Sequence, residues 1–397
     1  MDINPRQTLI LAVIVFFLGR YLVRKVNFLA RYNIPEPVIG GIVASVFFSL
    51  IYFLFDITLD FSLFQRDVLL VVFFTCVGLS SEFANLRQGG RTLLILLIIA
   101  ICYLFIQNFT GIAVATLTGL EPQVGVLSGS VSLSGGHGTT IAWADTFAKD
   151  YGIDNASEIG IACATFGLVL GGLVGGPMAG YLIKRHKLKP TSQQRLSVGI
   201  ADEKHQLINV ESVFSLLLIL SIAIGIGLHL HEFLITIGIK LPVFVPCLFG
   251  GIILTNTIPL LFKKIPWPTR TPTLALVSDV SLGLFLSMSL MSLQLWVLID
   301  LALPILLLLT AQVIVASVFV VFIVFRLLGS NYEAAIMSSG YIGLALGATP
   351  TAIANMTAVT KHYGPAPQAF IVVPLIGAFF IDIANSLVIQ NILSWLD

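Results

Sequence analysis

Ser134-Gly-Gly-His-Gly-Thr139 and, in the second half of the chain, Gly347-Ala-Thr-Pro-Thr351 decide how this sequence folds. The first lies in Gly129-Ser-Val-Ser-Leu-Ser-Gly-Gly-His-Gly-Thr-Thr140, which runs on to Tyr151-Gly152. The second lies in Gly340-Tyr-Ile-Gly-Leu-Ala-Leu-Gly-Ala-Thr-Pro-Thr351, which runs on to Tyr363-Gly364. Both are small, turn-forming stretches set between long apolar runs. In hydrocarbon an unpaired N–H or C=O costs several kcal/mol, so non-helical backbone persists there only inside protein or beside a water-filled cavity. Two such interruptions at corresponding positions of two halves point to the binding site of a secondary transporter.

The surrounding composition requires a membrane. Of the 397 residues 57% are hydrophobic and only 10% charged, and the mean hydropathy is +0.99, far from soluble domains. The apolar runs are long rather than alternating, so the spans are helices and not barrel strands. They fall at about 7–23, 37–55, 68–81, 91–118, 156–183, 212–238, 243–262, 272–297, 301–325 and 366–394. That predicts an all-α protein of about ten spanning helices, with re-entrant segments near 122–150 and 333–361. The run at 68–81 is short, and is expected to be tilted or broken. No cleavable signal peptide is expected, because Arg20, Arg24 and Lys25 follow the first apolar run instead of preceding it. A net charge of +1 gives no case for nucleic acid as partner. Cys76, Cys102, Cys163 and Cys247 are widely spaced within apolar runs and read as reduced packing residues.

Basic residues in short loops set the orientation. Arg20, Arg24, Lys25 and Arg31 mark one cytoplasmic loop; Arg87 and Arg91, Lys184 to Lys189, Lys263, Lys264 and Arg270, and Arg326 mark others. Asp56, Asp60 and Asp67 mark an outside loop. Both termini are then expected outside, and the two re-entrant segments enter from opposite faces, as an inverted repeat requires. Gly40-Gly41-Ile42-Val43 matches Gly250-Gly251-Ile252-Ile253, at nearly the offset that relates the later motifs. The expected organisation is a membrane half over 1–190, a cytoplasmic linker over 191–211 and an inverted half over 212–397.

The chemistry is expected at the two interruptions. Gly135, Gly136 and Gly138 permit positive φ and close approach of a ligand. Thr139 and Thr140 are expected to begin a half-helix whose free N–H groups form an anion site. Gly347, Ala348, Thr349, Pro350 and Thr351 repeat the arrangement, with Pro350 suited to a first helical turn. Close packing of small residues is the plainer explanation of such glycines. The accompanying hydroxyls and the matched positions favour a site. Two opposed N-termini suit a substrate with two carboxylates. His137 has three readings: a contact to substrate or proton, an orienting hydrogen bond, or a metal ligand, the last weak without companions at ligand spacing. Asp382 and Asn385 share one face of the last helix, and an acid within a span costs ~2.5–3.5 kcal/mol, which marks it as functional by default. Asn355 offers a carbonyl oxygen to a hard cation such as Na⁺. Gln107-Asn108 is a crossing or packing site. Asp279 is either a ligand or a residue near a helix start, Glu36 is structural, and Glu121 and Glu158 are expected in solvent.

Ser134-Gly-Gly-His-Gly-Thr139, Ala162-Cys-Ala-Thr-Phe-Gly-Leu-Val-Leu-Gly-Gly172, Gly347-Ala-Thr-Pro-Thr-Ala-Ile-Ala-Asn-Met356, Gly377-Ala-Phe-Phe-Ile-Asp382 and Ile34-Pro-Glu-Pro-Val38 closely resemble the bacterial sodium/glutamate symporter family. The resemblance covers nearly the whole chain. It implies Na⁺-coupled uptake of L-glutamate across the bacterial inner membrane, two inverted halves each with a re-entrant loop, and a homodimer working by an elevator-like motion. Substrate contacts are then expected from Ser134 to Thr139 and from Gly347 to Thr351. Asn355, Asp382 and Asn385 are expected at the coupling ion or the substrate amine, Asn355 and Asp382 foremost for Na⁺. A proton-coupled carboxylate carrier of similar build is the competing reading. A channel would need pore loops entering from one side, and an enzyme would need a catalytic cluster that the sequence does not display.

Overall fold

Long apolar runs give long helices, even where Pro177 and Pro259 lie inside them. Among the described residues eight are long and apolar enough to cross a membrane. The computed structural model describes residues 2–26, 35–82, 86–190, 208–237, 241–262, 267–269, 271–295 and 301–396. The spans are α1 (Pro5–Lys25), α2 (Glu36–Phe55), α4 (Leu86–Leu117, broken at Gly90), α7 (Ala156–His186), α8 (Val210–Thr236), α9 (Phe244–Leu261), α10 (Pro272–Met291) and α11 (Ala302–Phe319). The last of these continues through a π-helical turn, Val320–Val324, to Leu327. Their starts are chemically marked. Asn4 caps α1 and Asn209 caps α8, each accepting from the amide three residues on and receiving a side chain in return.

The expectation of about ten spans is thus met by eight clear ones, for two physical reasons. The run at 68–81 becomes α3 (Phe64–Ser80), 17 residues with Arg66 and Asp67 paired at 2.6 Å near its start. The last apolar run is α14 (Pro367–Leu375) and α15 (Ile381–Leu396), joined by a π-helical turn at Ile376–Phe380. Neither piece alone has the length. Between the spans lie four shorter helices: α5 (Pro122–Val126, extended by a π-helical turn Leu127–Val131), α6 (Gly136–Tyr151), α12 (Tyr332–Ala345) and α13 (Thr349–Tyr363). At 1.5 Å per residue none reaches across ~30 Å of hydrocarbon. The strands β1 (Asp2–Ile3) and β2 (Asp60–Phe61) pair in parallel over two residues. Most of the expected linker, and Arg31, Lys263, Lys264 and Arg270 of the orientation argument, lie outside the described residues.

The helices form two compact units, and each unit draws on both sequence halves. The first holds α1–α3 with α8–α10, the second α4–α7 with α11–α15. In the first, a side chain on Gly41 of α2 would strike Leu290 of α10, while one on Gly251 of α9 would strike Thr75, Gly78 and Leu79 of α3. The matched Gly-Gly pairs therefore pack reciprocally, each against the third helix of the other half. One core cluster joins Cys76, Leu79, Leu216, Leu220, Ala223, Leu254 and Leu274; another joins Ala12, Val15, Ala44, Met288 and Met291. The four cysteines are free, and Cys102 is exposed, so the packing role expected of it is not borne out. Glu36 pairs with Arg20 at 3.9 Å, and Asp279 is exposed on α10 in this first unit. Glu158, expected in solvent, is buried in the first turn of α7.

Candidate binding site

The second unit is built around two helical hairpins. In the first, α5 leaves regular geometry in its π-helical turn at Gly129 (φ −91°, ψ −121°), where the chain bends against Asn108 of α4. Asn108 satisfies the bend from both sides: Ser130 N donates to its Oδ1 at 3.0 Å, and its Nδ2 donates to Ser130 Oγ at 2.8 Å. Gly136, at φ +68°, then turns the chain into α6. That helix begins at Gly136, three residues before the expected Thr139, because the glycine itself supplies the entry and Thr140 Oγ1 donates to its carbonyl at 2.7 Å. His137 and Gly138 consequently sit in the first turn. Among the described residues the amides of His137 and Gly138 have no acceptor, as expected where orphan donors open a helix.

The second hairpin repeats this with different chemistry. Asn331 caps α12 by accepting from Ala334 N at 2.8 Å, and after a short turn Ala348, in extended geometry, leads into α13 with Pro350 in its first turn. The amides of Gly347, Thr349 and Thr351 have no acceptor among the described residues. Thr351 Oγ1 is buried without a partner among the described residues. Ala348 and Thr349 are half-buried and Pro350 is exposed, as Gly135, Gly136 and Gly138 are half-buried on the first hairpin.

The two turns meet. A side-chain carbon on Gly136 would lie 3.6 Å from the Gly347 carbonyl oxygen. Gln107 of α4 joins them: its Nε2 donates to the Ala345 carbonyl at 2.8 Å, and its Oε1 accepts from Ser134 Oγ at 2.6 Å. Gln312 of α11 donates to the Gln107 carbonyl at 2.8 Å. Helix α7 runs past both turns on glycines, Gly160 against Thr140 and Ser132, Gly167 against Leu133 and the Leu346 carbonyl, and Gly171 against Leu346. Two helix N-termini with free amides, held together by buried amide side chains, make a site fitted to anionic oxygens.

The remaining predicted residues divide. His137, buried, is held at 2.9 Å by Thr165 of α7 through Nε2. Thr165 Oγ1 gives its own proton to the Ile161 carbonyl at 2.8 Å, so it accepts from His137 Nε2–H and leaves Nδ1 as the lone-pair nitrogen. Ser134 is consumed by Gln107, and Gly135 is needed because a side chain there would strike Thr139 and the Val131 carbonyl. Asn355 spends its Nδ2 on the carbonyls of Gly171 and Ser339, at 3.0 and 3.4 Å. Asn385 donates to the Ser130 carbonyl at 2.8 Å, and its Oδ1 is buried without a partner among the described residues. Asp382 is half-buried, and among the described residues its carboxylate has neither hydrogen bond nor ion pair. It lies in sequence between Gly377, where a side chain would meet Thr349 Oγ1 of the second hairpin, and Asn385, which bonds to the first hairpin. The His/Cys/Asp/Glu groups include no trio able to hold a metal among the described residues.

The sequence has relatives. The profile of the family described as sodium/glutamate symporter matches residues 1–365. The chain belongs to that family. It is 42% identical over 392 residues to the sodium/glutamate symporter of Escherichia coli (strain K12), covering 98% of this chain and 97% of that protein. The same figures hold for the sodium/glutamate symporter of Shigella flexneri. The sodium/glutamate symporter of Haemophilus influenzae is 40% identical over 389 residues, 97% of this chain and 96% of that protein.

Gln312, Thr165, Ser130 and the α7 glycines were not singled out from sequence as site residues. Their partners lie as far as 255 residues away, and only the stretch from Ala162 to Gly172 and the Gln107-Asn108 step give a local sign.

Proposed function

We propose that this protein is a Na⁺-coupled symporter of L-glutamate, with the substrate held where the two hairpin turns meet. The observation that carries the site is the convergence of five amides without an acceptor among the described residues, those of His137, Gly138, Gly347, Thr349 and Thr351, at two helix N-termini. Glutamate brings two carboxylates, and each N-terminus suits one. The amine then needs an acceptor, for which His137 Nδ1 and the Asp382 carboxylate are the candidates. Na⁺ takes oxygen ligands, and the Asn385 Oδ1 and Asp382 oxygens, one helical turn apart and without partners among the described residues, suit it. Asn355 Oδ1 is the further oxygen offered to the ion, its Nδ2 being committed.

The hairpins are read as re-entrant segments, since none of their helices is long enough to cross. Reciprocal packing of Gly41 and Gly251 supports two repeats of opposite orientation, and basic loop residues support an inner-membrane protein with both termini outside. We take the second unit as the part that carries substrate, moving elevator-fashion in a homodimer. Uptake of labelled L-glutamate into proteoliposomes under separately imposed Na⁺ and proton gradients tests the reading. Uptake driven by the proton gradient alone would replace it with the proton-coupled carrier.

A further inference from the structure

The outward residues of α7 and α11 frame an apolar groove that no described segment fills. Toward one end it is a space of about 590 Å³ lined by Phe166, Leu170 and Ile314 among others. Toward the other it is about 610 Å³, lined by Val174, Met178, Tyr181, Val318 and Phe322. That second stretch ends at a cluster of cations. Lys184 and Arg185 occupy the last turn of α7 and Lys187 follows it. The guanidinium of Arg326 lies 5.5 Å over the Phe322 ring, which itself lines the groove. The rings of His186 and Phe325 lie 5.0 Å apart and fix the two helix ends beside one another. All four cations are exposed, and none has a carboxylate partner among the described residues. Glu333, the acid that follows Arg326 in sequence, accepts instead from the amides of Gln368 and Ala369.

We infer that this seam is a binding site for one anionic phospholipid, its phosphate on Arg326 and Lys184 and an acyl chain in the groove between Leu173 and Tyr181. Three features select that occupant. Basic clusters at the ends of spanning helices attract anionic headgroups, and an Arg fork matches phosphate oxygens in two-point fashion. The stretch from Leu173 to Tyr181 rises about 12 Å, close to one leaflet of a ~30 Å hydrocarbon core. The lining is apolar, and Tyr181 and Phe322 stand at the headgroup end, where amphipathic and aromatic rings belong. An ordinary lipid-facing surface would offer neither a groove nor an unpaired cation cluster at its end.

The test compares phosphatidylglycerol with phosphatidylcholine on the intact purified protein. Native mass spectrometry should show phosphatidylglycerol retained per protomer in preference to phosphatidylcholine, and phosphatidylglycerol alone should raise the melting temperature. The double variant Lys184→Gln, Arg326→Gln should keep the lipid-free melting temperature and lose phosphatidylglycerol affinity by roughly thirtyfold. Val318→Trp, which fills the groove and leaves the cations, should lower retention of both lipids. Equal retention of the two lipids by the wild type overturns the proposal, as does full phosphatidylglycerol retention in the double variant.

Discussion

Asp382 is a carboxylate in the last helix with no protein partner among the described residues, and that is an expensive state in apolar surroundings. In the proposed mechanism Na⁺ or the substrate amine completes it. Asp382→Asn removes the charge at nearly constant volume, so the protein should insert and fold while transport falls. Loss of a charge-assisted contact predicts roughly 10- to 150-fold weaker binding of whichever partner it serves. Titrating uptake against both ligands separates them: a shifted Na⁺ affinity rescued by high Na⁺ identifies the ion, a shifted glutamate affinity identifies the amine. Wild-type rates and affinities in a well-expressed variant would reduce Asp382 to a packing residue. His137 makes the complementary case. Its Nε2–H is fixed by Thr165, whose own proton goes to Ile161, which argues for an orienting role over proton relay. Thr165→Val should strand that N–H at a cost of ~1–3 kcal/mol and weaken glutamate affinity, while the pH profile of uptake keeps the wild-type shape. A profile flattened between pH 6 and 8 in this variant or in His137→Gln would speak for the relay instead.

At the scale of elements, the hairpins depend on glycines that permit backbone to touch its neighbour. Gly377 is one instance, since a side chain there meets Thr349 Oγ1 and Leu344. Gly377→Val should wedge the π-helical turn of the last helix away from the second hairpin at about 1–3 kcal/mol. Glutamate binding should suffer more than thermal stability. If binding measured by isothermal calorimetry is unchanged, the last helix does not shape the site. Accessibility gives a second check on the hairpins. Cysteines at positions 134 and 349, in a background without the four native ones, should react with an impermeant thiol reagent from opposite faces, and substrate should protect both. Labelling of both from one face without protection would sink the re-entrant reading. Why the hairpins were readable in sequence while their braces were not follows from the same geometry. Ser134 to Thr139 and Gly347 to Thr351 announce themselves because polar backbone breaks an apolar run. Gln107 says only that an amide sits in a span, and its partner Ala345 lies 238 positions away. The sequence puts the helix start at Thr139, later than Gly136, because a glycine reads as turn until its φ is known. The last span reads as one helix because a π-helical turn leaves no mark in composition.

At the scale of the molecule, the two packing units cut across the two sequence halves, three helices from each half in one and the hairpins with their supporting spans in the other. A linear reading finds halves, because continuity is all that it can follow; which helices exchange contacts is decided by surfaces such as Gly41 on Leu290 and Gly251 on Thr75. A unit that carries both N-termini of the proposed site can move as a body only if substrate and ions travel with it, so the charge of the cargo sets the driving force. Glutamate bears one net negative charge at neutral pH, and more than one Na⁺ per cycle makes the loaded unit positive. Each net charge crossing 100 mV contributes about 2.3 kcal/mol, equivalent to about 50-fold in the accumulation ratio. Proteoliposomes given a potassium diffusion potential, negative inside, should therefore accumulate glutamate more steeply than the Na⁺ gradient alone allows. The effect should vanish when Na⁺ is replaced by choline. Accumulation that ignores the potential but still needs Na⁺ would mean that one Na⁺ accompanies each glutamate. Asp382 and Asn385 would then be enough for that one ion, and no second cation site would be required near Asn355.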